Sequence, residues 1–264
     1  MTDKALAATI NFMRDRESGG VWSNEQADLV DQPLLARSVA IADGRAGHAA
    51  RLDAEGFALV DHPLAQARWD ERAWIDGPYV ESCTALVARL TGAAEVVSYY
   101  PPLVRMADPA ERERSGAAPP GTFVHLDNTR QSSARSLVRY LGEDLPRRYA
   151  RWTIYNVWRV LTPPPQNTPL AICDRRTLDP GDLVEGATNL AGQLYPYWGA
   201  VYGEGQRWSY FPDMVPEEAI VFVSMDPFGE SPGCLHTGFD VPRPEPAAAA
   251  RVSVEARVVA FFDS

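Results

Sequence analysis

The second part of the chain consists of short apolar segments that are repeatedly interrupted by proline, glycine and aspartate. Such regular punctuation is typical of strands joined by turns, and the segments are short for helices. Six of these segments follow residue 95: Val96–Tyr100, Thr122–His125, Trp152–Leu161, Leu170–Cys173, Ala219–Met225 and Val252–Phe262. Many short strands of this kind predict a β-barrel or a β-sandwich over residues 96–264.

Residues 1–95 lack this texture, and the sequence predicts a mixture of helix and turn that packs on the barrel. Leu64–Ala73 and Val80–Leu90 have an apolar spacing compatible with amphipathic helices, and Thr91-Gly92 is a typical end for the second. Since no repeat or low-complexity linker divides the 264 residues, we expect a single domain over 1–264. The Pro- and Ala-rich residues 107–121 are predicted to form either a surface loop or a flap over a site.

Composition excludes several classes of partner. The net charge of −10 argues against nucleic acid and anionic membranes, because both require basic surfaces. No uncharged run approaches the roughly 20 apolar residues of a membrane span. Cys83, Cys173 and Cys234 are far apart and form no C-x-x-C pair, which indicates reduced thiols in a cytoplasmic protein. A small-molecule partner is therefore expected, whereas the oligomeric state is left open.

A metal site is predicted around Phe123-Val124-His125-Leu126-Asp127. In a strand, residues two apart project on the same side, so His125 and Asp127 can face one ion. His236, in Gly233-Cys234-Leu235-His236, follows an apolar strand and can supply a second imidazole. Two histidines and one carboxylate form the facial triad of non-haem iron(II) oxygenases, which leaves positions open for a bidentate 2-oxoacid and dioxygen.

Residues 251–258 alternate strictly between polar and apolar side chains, which predicts a strand with two different faces. The guanidinium of Arg251 matches a carboxylate, and the hydroxyl of Ser253 can complete the contact. Arg257 lies about 20 Å further along an extended strand, so it is the reserve candidate for the same role or a structural charge. The alternative for this polar face is a solvent-exposed edge strand.

Several blocks of the chain together resemble the methoxylase/desaturase-like family, which contains the cephalosporin 7-alpha-methoxylation hydroxylase component and fungal natural-product hydroxylases, desaturases and endoperoxide-forming enzymes. The resemblance runs from about Phe12 to the end. The blocks that carry it are Gly56-Phe57-x-Leu59-Val60-x-His62, His125-x-Asp127-x-Thr129, Tyr155-Asn156-Val157-Trp158-Arg159, Pro169-Leu170-Ala171-Ile172-Cys173-Asp174, Trp208-Ser209-Tyr210-Phe211-Pro212-Asp213-Met214, His236-Thr237-Gly238-Phe239 and Arg251-x-Ser253-x-Glu255-x-Arg257.

The resemblance implies a mainly β protein with flanking helices and a double-stranded β-helix core, the jelly roll of cupin-like proteins. It also implies iron(II), 2-oxoglutarate as cosubstrate, and oxidation of a C–H bond in an amino acid or a secondary-metabolite intermediate. Gly238 stands where alanine is commoner in the family, and Met225-Asp226-Pro227 replaces a tyrosine-containing turn. These departures leave the ligands unchanged and make the substrate unpredictable.

Three further residues are candidates for the cosubstrate pocket. Asn156 and Arg159 lie on an apolar strand, where they either line the pocket or, for Arg159, close a strand end with the stem packed on apolar surface. Thr129 either assists near the metal or closes a turn after Asp127. His48 and His62 precede the core and are interpreted as structural or surface residues.

Two other functions use the same residues. One is a zinc-type hydrolase or isomerase, which needs a general base and has no use for Arg251. The other is a non-catalytic binding module with the same fold, against which the intact set of His125, Asp127, His236 and Arg251 argues.

Overall fold

The computed structural model describes residues 5–23, 31–47, 49–190, 192–242 and 249–263, and most of its regular structure is β-strand. Within these ranges the strands form two sheets. The larger has nine strands in the order β1-β3-β11-β8-β13-β6-β10-β9-β2. Its strands are β1 Ala5–Met13, β2 Val21–Ser23, β3 Leu34–Asp43, β6 His125–Leu126, β8 Leu170–Cys173, β9 Leu183–Leu190, β10 Gln193–Ala200, β11 Trp208–Tyr210 and β13 His236–Gly238.

The smaller sheet has five strands in the order β4-β12-β7-β14-β5 within the same described ranges. They are β4 Phe57–Asp61, β5 Glu95–Met106, β7 Arg151–Val160, β12 Glu218–Met225 and β14 Val252–Phe262. Helical segments are α1 Arg72–Trp74, a π-helical turn Ile75–Tyr79, α2 Val80–Thr91, α3 Pro109–Ser115, α4 Arg130–Leu141, α5 Asp144–Arg147, and 3₁₀ turns Arg175–Thr177 and Pro180–Asp182. None of the helices in the described ranges is long and apolar enough to cross a membrane.

Both faces of strand β14 are buried. Val254, Ala256 and Val258 are fully buried in an apolar cluster with side chains of α2. Its polar face is buried as well, since Arg251 and Ser253 are only 2% and 1% exposed. Because β14 pairs with β5 on one side and β7 on the other, the alternative of a solvent-exposed edge strand is wrong. The polar face points into the protein.

Five of the six strands predicted after residue 95 are confirmed, whereas of Thr122–His125 only His125 lies in a strand, β6. The prediction for residues 1–95 is wrong in part. β1 and β3 pair over nine residues and extend the larger sheet, while β4 joins the smaller one. Alanine- and leucine-rich segments favour helix locally, and here the pairing with neighbouring strands outweighs that preference. Val80–Leu90 is helical as predicted, and Gly92 ends the helix with a φ of 65°. Leu64–Ala73 is mostly turn.

Residues 107–121 are not a plain loop. Asp108 accepts hydrogen bonds from the backbone N–H groups of Ala110 and Glu111, and helix α3 begins there. After the helix, the carbonyl of Ala118 accepts from the N–H of Met106, and that of Pro119 accepts from the guanidinium of Arg105. The segment is therefore tied to β5.

Candidate metal centre

The fold places His125 and His236 directly opposite each other. β6 and β13 are neighbouring antiparallel strands, and these two histidines are paired in the register. Their ring centroids are 4.4 Å apart. Ligand atoms of His125, Asp127 and His236 all lie within 4.8 Å of one another. Residues more than 100 positions apart in the chain therefore converge on one point, as the sequence predicted.

Both imidazoles are oriented by main-chain carbonyls two residues earlier. Nδ1 of His125 is 2.8 Å from the carbonyl oxygen of Phe123, and Nδ1 of His236 is 3.1 Å from that of Cys234. A carbonyl only accepts, so Nδ1 carries the proton and Nε2 keeps its lone pair for a metal. Burial, and then the charge of His236, lowers the pKa of His125 to about 3. The imidazole of His125 is thus neutral at neutral pH, as a ligand must be.

The carboxylate of Asp127 accepts three hydrogen bonds. Arg257 Nη2 is 2.7 Å from Oδ1, while Asn156 Nδ2 and the Ser224 hydroxyl are 2.7 and 2.9 Å from Oδ2. Burial alone would raise the pKa of Asp127, but Arg257 and the two imidazoles hold it well below its usual range. Asp127 is therefore an oriented anion in the folded protein.

The three donors to Asp127 come from the smaller sheet. Arg257 of β14 and Asn156 of β7 are paired in the register. Ser224 lies on β12 where the pairing with β7 shifts between Val223 and Met225, and such an irregularity can redirect a side chain. The larger sheet thus supplies the histidines, Asp127 follows directly after β6, and the smaller sheet orients its carboxylate.

A small cavity of about 20 Å³ adjoins the three side chains, and Arg251 lines it together with Trp158. The Arg251 guanidinium donates to the carbonyl oxygen of Thr168 and lies over the Trp158 ring, 5.4 Å from its centroid. Its Nε and the Ser253 hydroxyl are buried without a hydrogen-bond partner. Unpartnered buried donors are costly unless a ligand accepts from them. The guanidinium of Arg251, which lines the cavity, therefore fits a bound carboxylate, and Ser253 offers a second unpartnered donor two residues along the chain.

Arg105 is a residue that the sequence analysis missed. It lies on β5 and lines both the small cavity and a larger one beside His125. Burial, and then repulsion from Arg105, lowers the pKa of Arg251 to about 9. Two guanidinium groups thus line the small cavity together with the carboxylates of Asp127 and Glu255. The charge of Glu255 acts on the pKa of Arg251 in the opposite direction to that of Arg105. No local pattern in β5 marks Arg105.

Two predicted cosubstrate residues lie elsewhere. Arg159 points to the opposite face of β7, because neighbouring residues of a strand alternate, and it bonds to His62 and to the carbonyl oxygen of Pro216. Thr129 is the N-cap of α4, where its hydroxyl accepts from the N–H of Ser132. Both groups are engaged away from the small cavity. His48 lies outside the described residues.

Glycines at positions 121 and 238 allow close packing beside the histidines. A Cβ on Gly121 would lie 3.1 Å from Cε1 of His125, and a Cβ on Gly238 would lie 3.1 Å from the carbonyl oxygen of Gly121. The Gly238 N–H donates to that same oxygen at 2.7 Å. Gly238, where the related family more often has alanine, therefore suits the close approach of residue 121.

Similar proteins agree in both sequence and fold. The hydroxylase/desaturase CTB9 of Cercospora beticola is 27% identical over 281 residues, which cover 96% of this chain and 86% of the relative. The Fe(II)/2-oxoglutarate-dependent dioxygenase nvfI of Aspergillus novofumigatus is 29% identical over 80% of this chain and 77% of its own length. A solved structure of the iron and alpha-ketoglutarate-dependent endoperoxidase NvfI matches with a TM-score of 0.84 and 25% identity, covering 98% of this chain and 99% of that one.

These similarities confirm the jelly-roll core and the resemblance to fungal natural-product oxygenases. They do not favour the zinc-type hydrolase or the binding module. The chain is an iron(II)- and 2-oxoglutarate-dependent dioxygenase. Residues 10–261 match the family model of the Oxidoreductase/YMDC permease-like domain, so the chain belongs to that family.

Proposed function

We propose that His125, Asp127 and His236 hold the iron(II), that Arg251 and Ser253 bind the distal carboxylate of 2-oxoglutarate, and that the enzyme oxidises a C–H bond of a small organic molecule. The observation that carries the proposal is the position of Arg251. Its buried guanidinium lines the same small cavity as the three candidate ligands. A zinc hydrolase would have no use for this cation beside its metal.

The donor set fits iron(II). Two neutral imidazoles and one carboxylate are the ligands of non-haem iron oxygenases, and three protein ligands leave positions for a chelating 2-oxoacid and dioxygen. Bound iron and 2-oxoglutarate supply an oxidant able to break an unactivated C–H bond, with release of succinate and carbon dioxide. Asn156 and Arg257 donate to the carboxylate of Asp127 and so hold this ligand in one orientation.

The surrounding side chains position the reactants and limit access of water. Phe222 is fully buried, and its ring centroid lies 4.9 Å from that of His236. Phe123 packs on the other imidazole, with ring centroids 4.7 Å apart. Apolar walls of this kind strengthen the electrostatic contacts of the site and fix the geometry of the reacting groups. The buried free cysteines support a cytoplasmic location as part of this proposal.

The test is anaerobic addition of iron(II) and then 2-oxoglutarate to the apoprotein. We expect a weak visible charge-transfer band that is absent from His236→Ala. In Arg251→Gln the concentration of 2-oxoglutarate needed for the band should rise by about 10- to 100-fold, as the loss of a charged hydrogen bond implies. Arg159→Gln is the matched control, because it removes an equally buried arginine from the other face of the sheet and should leave that concentration unchanged. A colourless complex with activity on zinc alone would refute the proposal.

A further inference from the structure

A second, larger cavity opens beside the candidate metal ligands. Its volume is about 260 Å³, and it is lined by His125 and Asp127 at one part of its wall. Aromatic side chains make up much of the remaining wall, among them Trp22, Tyr99, Phe123, Tyr140 and Tyr195. Cavities with such walls bind apolar, ring-containing ligands by packing and by removal of apolar surface from water.

One face of helix α4 contributes cations to this cavity. Ser132, Arg135, Ser136 and Arg139 line it, at the spacing that places side chains on one side of a helix. Arg139 donates to the hydroxyl of Tyr195 at 2.8 Å, which holds it at the wall. Arg135 makes no hydrogen bond or ion pair with any residue in the described ranges. The two guanidinium groups therefore have donors available to a ligand.

Four arginines and one acidic residue are among the described residues that line this cavity. Asp127 is the one acidic residue among the described residues that line it. Its carboxylate already accepts from Arg257, Asn156 and Ser224. The lining is therefore positive in a chain whose net charge is −10. A local field of opposite sign to the whole protein concentrates anions at this cavity.

From this distribution we propose that the substrate is an amphipathic anion, with a carboxylate bound by Arg135 and Arg139 and an apolar, ring-containing body on the aromatic wall. The inference rests on the proposed function, because the apolar body of the substrate must lie near the iron held by His125 to be oxidised. Arg135 and Arg139 line the large cavity and do not line the small one that contains Arg251. The anionic group thus lies apart from the cosubstrate, and oxidation falls on the apolar body.

The test uses two probes that share a shape and differ in charge, 2-naphthoate and 2-naphthamide. Each is titrated calorimetrically into the anaerobic enzyme loaded with iron(II) and 2-oxoglutarate. We expect the carboxylate to bind at least about 10-fold more tightly than the amide, as one charge-assisted contact implies. The double variant Arg135→Gln/Arg139→Gln should reduce this preference to within about two-fold. Arg130→Gln, on the same helix and away from the cavity lining, is the matched control and should keep the preference.

Four outcomes separate this inference from its alternatives. Equal binding of the two probes to the wild-type enzyme would overturn it. A double variant that keeps the preference would also overturn it, and if that variant needs much more 2-oxoglutarate for the charge-transfer band, the arginines attract the cosubstrate instead. A normal band with a lost preference in the double variant supports it. Absence of the band from the wild-type enzyme would refute the proposed function instead.

Discussion

Arg257 Nη2 lies 2.7 Å from Asp127 Oδ1, and this contact joins the two sheets at the candidate metal centre. The same guanidinium donates through Nε to Glu255 at 2.9 Å. Arg257 therefore lies between two carboxylates, with Nε donating to Glu255 and Nη2 donating to Asp127. Its geometry is that of a residue that positions Asp127.

Arg257→Gln should weaken metal binding. Loss of the ion pair leaves Asp127 with two neutral donors and a less defined orientation, and loss of such outer partners typically lowers metal affinity by about 10- to 100-fold. Titration of manganese(II) followed by electron paramagnetic resonance measures this affinity. Ser224→Ala, which removes one neutral donor to the same carboxylate, should have a smaller effect. If the KM for 2-oxoglutarate rises more in Arg257→Gln than in Arg251→Gln, then Arg257 holds the cosubstrate.

Ser253→Ala should separate stability from cosubstrate binding. The Ser253 hydroxyl is buried without a partner, so its removal should leave the free energy of unfolding unchanged or raise it by up to about 1 kcal/mol. Affinity for 2-oxoglutarate should fall by about 3- to 10-fold if the hydroxyl binds the carboxylate. Thermal unfolding with and without the cosubstrate measures both effects. A loss of stability together with unchanged affinity would assign Ser253 a structural role.

Gly121→Ala should impair metal binding with little effect on the fold. The added Cβ would lie 3.1 Å from Cε1 and 3.7 Å from Nε2 of His125, and would displace the edge of the ring that faces the metal. We expect metal affinity to fall by about 10-fold or more, which is the size of effect seen when ligand orientation is disturbed. Gly77→Ala is the matched control, because nothing lies within 4 Å of the Cβ it would gain. Equal affinities in the two variants would contradict the crowding argument.

His62 should make the protein less stable in mild acid. Its Nδ1 accepts from Arg159 and its Nε2 is 2.8 Å from the Ser82 hydroxyl. Burial, and then the charge of Arg159, lowers the pKa of His62 to about 4. The folded state thus favours the neutral ring, so stability is complete above the unfolded pKa of about 6.5 and is lost as pH falls toward the folded value. The loss should be about 1–2 kcal/mol after allowance for solvent screening.

Chemical denaturation of the wild type and His62→Gln at pH 7.5 and pH 5 measures this contribution. The variant should be less stable at pH 7.5, and the difference between the two proteins should narrow at pH 5. Taking the difference cancels the titration of other groups that both proteins share. A gap that stays constant with pH would show that His62 does not titrate in this range.

The sequence brought out the candidate ligands, whose ligand atoms do come together, and five of the six strands predicted after residue 95, because these follow from local rules. The alternation of polar and apolar residues predicts strand β14, and the metal-binding chemistry of histidine and aspartate singles out His125, Asp127 and His236. Arg105 and Ser224 were not found, since no local pattern distinguishes them within their strands and each acquires its role from residues far away in the chain. The sequence left the roles of Thr129 and Arg159 open for a similar reason. Each side chain has a partner, Ser132 for Thr129 and His62 for Arg159, that the sequence does not display.

The first 95 residues show where local preference fails. β1 and β3 contain several alanines and leucines, and they are strands because they pair with each other and β3 also pairs with β11. The division of the chain into an N-terminal part and a core, and the extent of a single domain, stay predictions. The assignment of Arg251 to the cosubstrate and the flap role of residues 107–121 stay predictions as well.

The main-chain carbonyls that orient both imidazoles have an evolutionary consequence. A carbonyl belongs to every amino acid, so no single substitution at Phe123 or Cys234 can delete the acceptor on which a histidine depends. Side chains around the centre can therefore change with the substrate, while the backbone carbonyls keep both imidazoles in the same tautomer. A scaffold of this kind tolerates wide sequence divergence without losing its capacity to bind a metal.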